Sequence, residues 1–289
     1  MYRKGINMKV EKLYNKLNND FITDNMTDEW FKYMGEVEEF ICDNFKSRSM
    51  GLVCDFTNEI KEVYCAVFPT FEVMKTIIDE GVMDAMLFVH HPSNWDIRKA
   101  PKVFYQMDKE QLKIFKERRI SIYNLHVPLD NYGTYSTSNT LAEVLGIKVE
   151  EPFALYNGAQ NGVIGTTSFK DITALKRNVS KVLGHDVVLY QYGDDIITDS
   201  RVAIIAGGGN DIKFVSEAID KGVKVFITGI TNSKHYLEVH EYEKKNKINV
   251  IGGTHYSTEK FACIKMCEYF KKLGIESKFI NGVPIFEDM

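Results

Sequence analysis

The most constraining feature of the sequence is an alternation of short apolar runs with amphipathic stretches, which occurs in two separate segments. In the first segment the predicted elements are, in order, the strand 63–67, the helix 70–79, the strand 85–89, the helix 109–118 and the strand 120–125. In the second they are the strand 202–206, a helix, the strand 224–228, the helix 236–245 and the strand 249–251. This alternation predicts an α/β fold, a parallel or mixed sheet covered by helices, with ligands at the carboxyl ends of its strands.

Two pairs of similar stretches suggest that one segment duplicates the other. The stretch Ile78-Asp79-Glu80-Gly81-Val82 has a counterpart in Ile219-Asp220-Lys221-Gly222-Val223, and a short predicted strand follows each. Later in each segment a strand ends in His-x-x-x-carboxylate, from His126 to Asp130 and from His255 to Glu259. Chance similarity of short stretches is the alternative interpretation. A duplication predicts two similar lobes that face each other, with equivalent strand ends converging.

These patterns divide the chain into four predicted regions: an amphipathic helical extension at 1–46, a first α/β lobe at 47–150, a connecting β/α segment at 151–200, and a second α/β lobe at 201–289. In the extension, Asp28 is a candidate cap for a helix whose apolar face contains Trp30, and we expect this helix to pack without chemistry. In the connecting segment, the glycines between 158 and 165 suit tight turns between strands.

Composition and charge exclude several classes of protein. Hydrophobic residues make up 44% of the chain and charged residues 26%, as is ordinary for a globular protein. The formal net charge of -4, without a dominant basic block, argues against nucleic acid as the main partner. No apolar run reaches membrane length, and the five cysteines form no Cys-x-x-Cys pair. We therefore expect a soluble, cytoplasmic protein with reduced thiols and no membrane partner.

The placement of the histidines is more informative than their number. Of the seven histidines, four come directly after a predicted strand: His90, His91, His126 and His255. His90 and His91 precede Pro92, which cannot donate the next strand hydrogen bond. Consecutive strand side chains point to opposite faces, so both rings can serve one site only where the strand breaks. A shared metal or catalytic site is one interpretation, and a buried structural histidine beside an exposed one is the other.

Carboxylates near these histidines could complete a metal site. Asp130 follows His126 by four residues, after a turn at Pro128, and Glu259 follows His255 by four on a predicted helix, which puts that pair on one helix face. Such a pair is also common on plain helix surfaces. Imidazoles with carboxylates suit a pair of divalent ions. Because no cysteine stands at these strand ends, an open or exchangeable site is favoured over a structural thiolate site.

Two further features carry weaker hypotheses. The turn Gly207-Gly208-Gly209 follows a strand and resembles a phosphate-binding turn, but it completes neither a P-loop nor a GxGxxG pattern, so a simple tight turn is the alternative. His235 is a candidate to line a cleft near the metals. The sequence contains no GxSxG element, the motif that would indicate a covalent hydrolase.

The ordered set of these motifs resembles the Nif-three-like dinuclear metal-centre family, whose members are often labelled GTP cyclohydrolase I type 2. The similarity runs from about residue 50 to the C-terminus. The motifs that carry it are the strand followed by His90-His91-Pro92, then His126-Val127-Pro128-Leu129-Asp130 with Asn139-Thr140-Leu141-Ala142-Glu143-Val144-Leu145-Gly146 behind it, and then Gly253-Thr254-His255-Tyr256-Ser257-Thr258-Glu259.

The resemblance implies a two-lobed α/β protein that holds two divalent metal ions, zinc, iron, manganese or nickel, in the cleft between the lobes. It also implies a homo-oligomer, commonly a homohexamer. The implied metal ligands are His90, His91, Asp130, His255 and Glu259. His126 would lie beside them, either supporting the ligands or transferring protons, and His235 is the second catalytic candidate.

The activity implied by the resemblance is hydrolysis of a nucleotide or another phosphate-containing small molecule, with GTP ring opening as the version in the family label. The alternative is a non-enzymatic metal-binding or regulatory protein that uses the two ions for storage, delivery or partner docking.

Overall fold

The computed structural model describes residues 8–289, which fall into two compact units. The first unit comprises the described residues up to Leu129 together with Cys263–Val283, and the second comprises Asp130–Ala262 together with Pro284–Met289. These bounds differ from the predicted lobes at 47–150 and 201–289, because the strand after the last helix pairs with a strand of the first unit. Residues 1–7 of the predicted extension lie outside the described residues.

Helices and strands alternate along much of the described chain. The α-helices are α1 (Val10–Phe21), α2 (Asp43–Arg48), α3 (Phe71–Asp79), α4 (Lys109–Glu117), α5 (Val127–Asp130), α6 (Thr137–Leu145), α7 (Ile172–Leu183), α8 (Ile212–Asp220), α9 (Leu237–Lys245) and α10 (His255–Lys272). The strands are β1 (Met8–Lys9), β2 (Gly51–Cys54), β3 (Glu59–Ile60), β4 (Glu62–Ala66), β5 (Ala85–Val89), β6 (Asn94–Trp95), β7 (Phe104–Tyr105), β8 (Ile120–Asn124), β9 (Lys148–Tyr156), β10 (Ala159–Thr166), β11 (Val188–Tyr190), β12 (Arg201–Ile205), β13 (Val225–Thr228), β14 (Asn249–Gly252) and β15 (Glu276–Phe279).

The first unit is built on a five-stranded sheet with the order β15-β4-β5-β8-β2, in which β15, β4, β5 and β8 are parallel and β2 is antiparallel. The crossover helices begin at capped positions: the Thr70 hydroxyl accepts from Val73 N, and the Asp108 carboxylate accepts from Gln111 N. One sheet face packs into a core that includes Leu87, and Phe88 on the other face contacts Phe270 of α10. The sheet is therefore covered on both faces.

The second unit is built on a six-stranded sheet with the order β11-β14-β13-β12-β10-β9, in which β12, β13 and β14 are parallel. Alternate residues of β12 enter two separate cores: Val202 and Ile204 pack on one face, Ala203 and Ile205 on the other. This strand is buried from both sides, as its unbroken apolar run predicted.

The units share the arrangement that the duplication predicted. Each contains three consecutive parallel strands joined by two helices, β4-α3-β5-α4-β8 in one and β12-α8-β13-α9-β14 in the other. Gly81 and Gly222 occupy equivalent positions after α3 and α8, with φ of +71° and +79°. The predicted α/β fold of two similar lobes, with mixed sheets covered by helices, is confirmed.

The predicted turns between 158 and 165 were wrong for all but the first glycine. Asn157 and Gly158 form the turn, with φ of +46° and +86°, but Gly162 and Gly165 lie inside β10. A Cβ on Gly165 would come within 2.5 Å of Lys148 O on β9. These two glycines allow two paired strands to approach closely. In the sequence, glycines used in this way cannot be told from glycines in turns.

The single helix predicted after Asp28 was also wrong. The chain there forms two short 3-10 helices, Trp30–Tyr33 and Gly35–Phe40. The two helices are interrupted at Met34, although the apolar residues still pack into the core of the first unit. None of the five cysteines forms a disulfide in the structure. No α-helix within residues 8–289 combines the length and the apolar composition needed to cross a bilayer.

A three-residue charge cluster joins the amino ends of the central strands in the first unit. Asp84, directly before β5, accepts from Arg119 Nε, directly before β8, at 2.5 Å, and from Lys61 Nζ, directly before β4, at 2.6 Å. These two hydrogen bonds lower the pKa of Asp84 from 3.8 to about 2, and the bond from Arg119 has the larger effect. The carboxylate therefore stabilises the strand starts above about pH 4, and this contribution is lost as the pH falls through about 2.

Replacing this carboxylate by an amide, Asp84→Asn, is expected to lower the free energy of unfolding at pH 7 and to flatten its decline between pH 4 and pH 2. Urea denaturation followed by circular dichroism across that range measures both quantities. The control is Asp79→Asn, which removes an exposed carboxylate paired with Lys75 on the surface of α3 and is expected to change stability little. An Asp84→Asn protein as stable as the wild type at pH 7 would contradict the role of the cluster.

Candidate metal centre

His90 and His91 stand where β5 ends, and the backbone there still follows the neighbouring strand. His90 N donates to Ala66 O at 3.2 Å, and His91 N donates to Val67 O at 2.9 Å. Both side chains are buried, with 0% and 1% exposure. Their ring centroids are 4.3 Å apart, so the end of the strand brings two consecutive imidazoles together, as the break before Pro92 predicted.

The hydrogen bond made by His90 determines which of its nitrogens can bind a metal. Nδ1 of His90 lies 2.9 Å from Leu125 O. A carbonyl oxygen only accepts, so Nδ1 carries the hydrogen and the lone pair lies on Nε2. The same bond ties the end of β5 to the residue that follows β8.

His126 completes a group of three imidazoles within the first unit. Its ring centroid lies 5.2 Å from that of His90 and 4.8 Å from that of His91. Each of the three residues offers a ligand nitrogen, and these nitrogens all lie within 4.8 Å of one another. We call this set the histidine cluster. The structure thus gathers three of the histidines that the sequence placed after strands.

Aromatic side chains surround the histidine cluster. Phe68, from the loop after β4, stacks on His91 with the ring centroids 4.6 Å apart and the planes 14° apart. The Trp30 ring stands edge-on to His91 and His126, with centroid distances of 5.3 and 4.9 Å, and Phe104 packs against Trp30 at 4.7 Å. These rings exclude water and lower the local dielectric around the imidazoles.

Asp28 is a site residue that the sequence interpretation missed. The prediction that Asp28 caps a helix is wrong: the 3-10 helix that begins at Trp30 has no side-chain cap hydrogen bond, and Asp28 Oδ1 accepts from the adjacent Glu29 N at 2.9 Å. Asp28 Oδ2 lies 2.8 Å from His126 Nδ1, in an almost fully buried pair. No local sequence pattern indicates a contact between residues 98 positions apart. The one local signal is Trp30 close to Asp28, and that pattern predicts packing.

The second unit brings His255 and Glu259 together. His255 begins α10 directly after β14, and its Nε2 lies 3.1 Å from Glu259 Oε1 one helical turn on. The two side chains are buried, with 4% and 3% exposure, so this pair does not belong to a plain helix surface. The backbone of His255 is held by the carboxylate of Asp288, which accepts from its N at 2.9 Å.

The Gly207-Gly208-Gly209 turn packs directly against that pair. A Cβ on Gly207 would lie within 2.9 Å of Glu259 Cδ and 3.1 Å of His255 Cδ2, and the residue has a φ of +69°. Gly207 N donates to Thr258 Oγ1 and Gly209 N donates to Thr228 Oγ1. Two of the three amides are therefore occupied by protein hydroxyls. The phosphate-binding interpretation of this turn is not supported, and its glycine serves the close approach to Glu259.

The remaining predicted site residues have different surroundings. Asp130 is buried, and its Oδ1 accepts from Thr137 Oγ1 at 2.7 Å in the second unit. His235 is exposed in the loop before α9. His240 is buried, with Nε2 at 2.8 Å from Thr231 O. His240 therefore has a structural role.

The donors in these groups are those that borderline divalent ions prefer. Neutral imidazole and carboxylate suit zinc, iron, manganese and nickel, and no cysteine belongs to the histidine cluster or to the pair of His255 with Glu259. Burying a carboxylate such as Glu259 is costly unless a cation or hydrogen-bond donors compensate its charge. The buried histidines and Glu259 therefore form groups that are able to hold a metal ion.

Alanine at position 207 is expected to destabilise the protein more than alanine at a second glycine that has a similar positive φ but no close neighbours. Gly207→Ala would place a methyl group against Glu259 and should lower the free energy of unfolding by about 1–3 kcal/mol more than the control. The control is Gly222→Ala, which has a φ of +79° and nothing within 4 Å of the added Cβ. Urea denaturation in EDTA measures both, and equal losses would show that the packing against Glu259 does not matter.

The sequence is similar to that of known proteins over most of its length. A family model described as Duf34/NIF3 (NGG1p interacting factor 3) matches residues 40–284. A protein of Borreliella burgdorferi named GTP cyclohydrolase 1 type 2 homolog is 30% identical over 223 residues, which cover 77% of this chain and 83% of that protein. A protein of the same name from Archaeoglobus fulgidus is 28% identical over 255 residues, which cover 86% of this chain and 97% of that protein.

Solved structures with a similar fold cover almost the whole chain. The structure described as protein ybgI, of unknown function, has a TM-score of 0.75 at 19% identity and covers 96% of this chain and 100% of that one. Reduced HcgD from Methanocaldococcus jannaschii has a TM-score of 0.67 at 21% identity, with the same coverage. At these identities the structures show the fold alone. The family match confirms the resemblance that began with His90-His91-Pro92: this chain belongs to the Duf34/NIF3 family.

Proposed function

We propose that this protein is a dinuclear divalent-metal-dependent hydrolase that acts on a nucleotide or another phosphate-containing small molecule. The observation that carries the proposal is the convergence of three imidazoles, two of them buried and the third partly buried, whose ligand nitrogens lie within 4.8 Å of one another. Relatives at up to 30% identity bear the name GTP cyclohydrolase 1 type 2 homolog, which makes GTP the first substrate to test.

The proposed metal ligands are His90 and His91 from the first unit, and Asp130, His255 and Glu259 from the second. Neutral imidazoles fix the coordination geometry, and carboxylates offset the 4+ charge of two ions. The second unit supports this assignment, because Glu259 is buried beside His255 and packed by Gly207.

In a hydrolase of this kind the bound ions supply Lewis acidity, which lowers the pKa of a coordinated water and polarises the substrate oxygen. The protein contributes orientation, exclusion of water and proton transfer. Phe68, Phe104 and Trp30 exclude bulk water from the imidazoles. His126 and His235 are the two proposed proton-transfer residues, because imidazole exchanges protons near neutral pH.

One observation favours the alternative, a metal-binding or regulatory protein without catalysis. The donor side chains are almost completely buried: His90 is 0% exposed, His91 1% and Glu259 3%. Such burial suits retention of an ion and restricts the approach of a large substrate. Under this alternative the ions serve storage, delivery or partner docking. Assembly into a homohexamer stays a prediction from the family resemblance under either function.

Untagged wild-type protein is expected to retain about two divalent ions per chain and, after reconstitution with zinc, iron, manganese or nickel, to hydrolyse GTP or another phosphate-containing compound of a nucleotide panel. His91→Ala is expected to lose at least one ion and to reduce activity by about 100-fold or more, because it removes a proposed ligand. Elemental analysis and product chromatography measure the two effects.

The matched control is His185→Ala, which removes an imidazole that bonds Ser257 Oγ and lies outside both donor groups. Its metal content and activity should equal those of the wild type. A fully metallated wild type that is inactive across the panel would decide for the non-catalytic alternative. A wild type that binds no divalent ion at all would contradict both functions.

A further inference from the structure

The N-terminal segment places two residues against the histidine cluster from outside the part of the chain that matches the family. Asp28 and Trp30 both precede residue 40, where the family model begins to match. Both contact the histidines within the first unit, and Trp30 is only 4% exposed. Family resemblance therefore assigns them no role, and their contacts must be interpreted on their own chemistry.

The contact between Asp28 and His126 determines which nitrogen of the imidazole carries the hydrogen. At 2.8 Å from Asp28 Oδ2, the Nδ1 of His126 donates its hydrogen, because an ionised carboxylate only accepts. The lone pair of His126 is then on Nε2, the nitrogen on the far side of the ring from Asp28. A carboxylate that holds the second nitrogen of an imidazole is the usual support of a metal-binding histidine, since it sets the ring orientation and raises its basicity.

Trp30 strengthens this arrangement by keeping it dry. Its ring stands at 90° to the His126 ring with the centroids 4.9 Å apart, and at 77° to the His91 ring at 5.3 Å. The side chains of His126 and Asp28 are 13% and 7% exposed. A charged hydrogen bond in such a low-dielectric environment is stronger than the same bond in water.

We propose that Asp28 is a positioning residue of the metal centre, and that it holds His126 as a third imidazole donor beside His90 and His91. The proposal rests on the metal binding proposed above and adds His126 to the five ligands that the family resemblance implies. With Nε2 of His126 on a metal ion, proton transfer falls to His235, the second candidate. In this proposal the N-terminal segment orients a ligand of the metal centre, in addition to packing against the first unit.

The test measures Co²⁺ binding to purified full-length protein by competition with a chelator, together with the visible absorption of the bound Co²⁺, for the wild type, Asp28→Asn, His126→Ala and the double variant. Asp28→Asn is expected to weaken binding about 10- to 100-fold and to change the absorption spectrum, because the imidazole loses its charged partner. In the His126→Ala background, Asp28→Asn should weaken binding by less than about twofold, since Asp28 acts through His126.

The matched control is Asp24→Asn, which removes an exposed carboxylate four residues earlier and should leave affinity and spectrum unchanged. If Asp28→Asn lowers the thermal midpoint in EDTA, Asp28→Glu, which keeps the charge, should restore both the midpoint and part of the affinity. Unchanged Co²⁺ affinity in Asp28→Asn overturns the proposal while metal binding by the wild type stands. An equal loss with and without His126 also overturns it. Absence of Co²⁺ binding by the wild type instead refutes the proposed function.

Discussion

The parallel pairing of β5 with β8 is the constraint on which the candidate metal centre depends. Val89 pairs with Asn124 at the last position of both strands, so the chain leaves the sheet at the same edge twice. His90 and His91 follow the first exit and His126 follows the second, within two residues. The bond from His90 Nδ1 to Leu125 O then joins the two exits. Polar rings can stand at this edge because the crossover helices cover the faces of the sheet and not its ends.

The second unit uses the same strand order with different residues at the exits. Where His90 and His91 follow β5 in the first unit, Gly229 and Ile230 follow β13 in the second. His255 follows β14 as His126 follows β8, but it opens a long helix, and this helix adds Glu259 one turn later. Each unit offers its own set of donors: three imidazoles in the first, and an imidazole with carboxylates in the second.

The alternating segments could be predicted closely because their signals are local. The strand Ala85–Val89 has the predicted bounds, and α9 begins one residue after the predicted start. Buried parallel strands are short apolar runs, and helix caps such as Thr70 mark the starts between them. The ends of these strands could therefore be predicted from the sequence, and so could the histidines that follow them.

What the sequence could not show depends on contacts between distant residues. Gly165 lies in a strand, where the close approach of Lys148 on the neighbouring strand requires a glycine, although the composition around it resembles that of a turn. Gly207 likewise resembles a phosphate-binding turn until Glu259 is seen against it. Asp28 and His126 are separated by 98 residues, so the sequence around Asp28 gives no sign of its hydrogen bond to that imidazole. Local periodicity carries no information about such pairs.

The central claim is that two divalent ions occupy the donors gathered at these strand ends. Anomalous diffraction from crystals of metal-loaded protein, collected on both sides of the absorption edge of the metal, tests it most directly. The account predicts two anomalous peaks per chain, with His90, His91, His255 and Glu259 among the residues next to them. Crystals of fully loaded protein whose anomalous peaks lie away from these residues would contradict it.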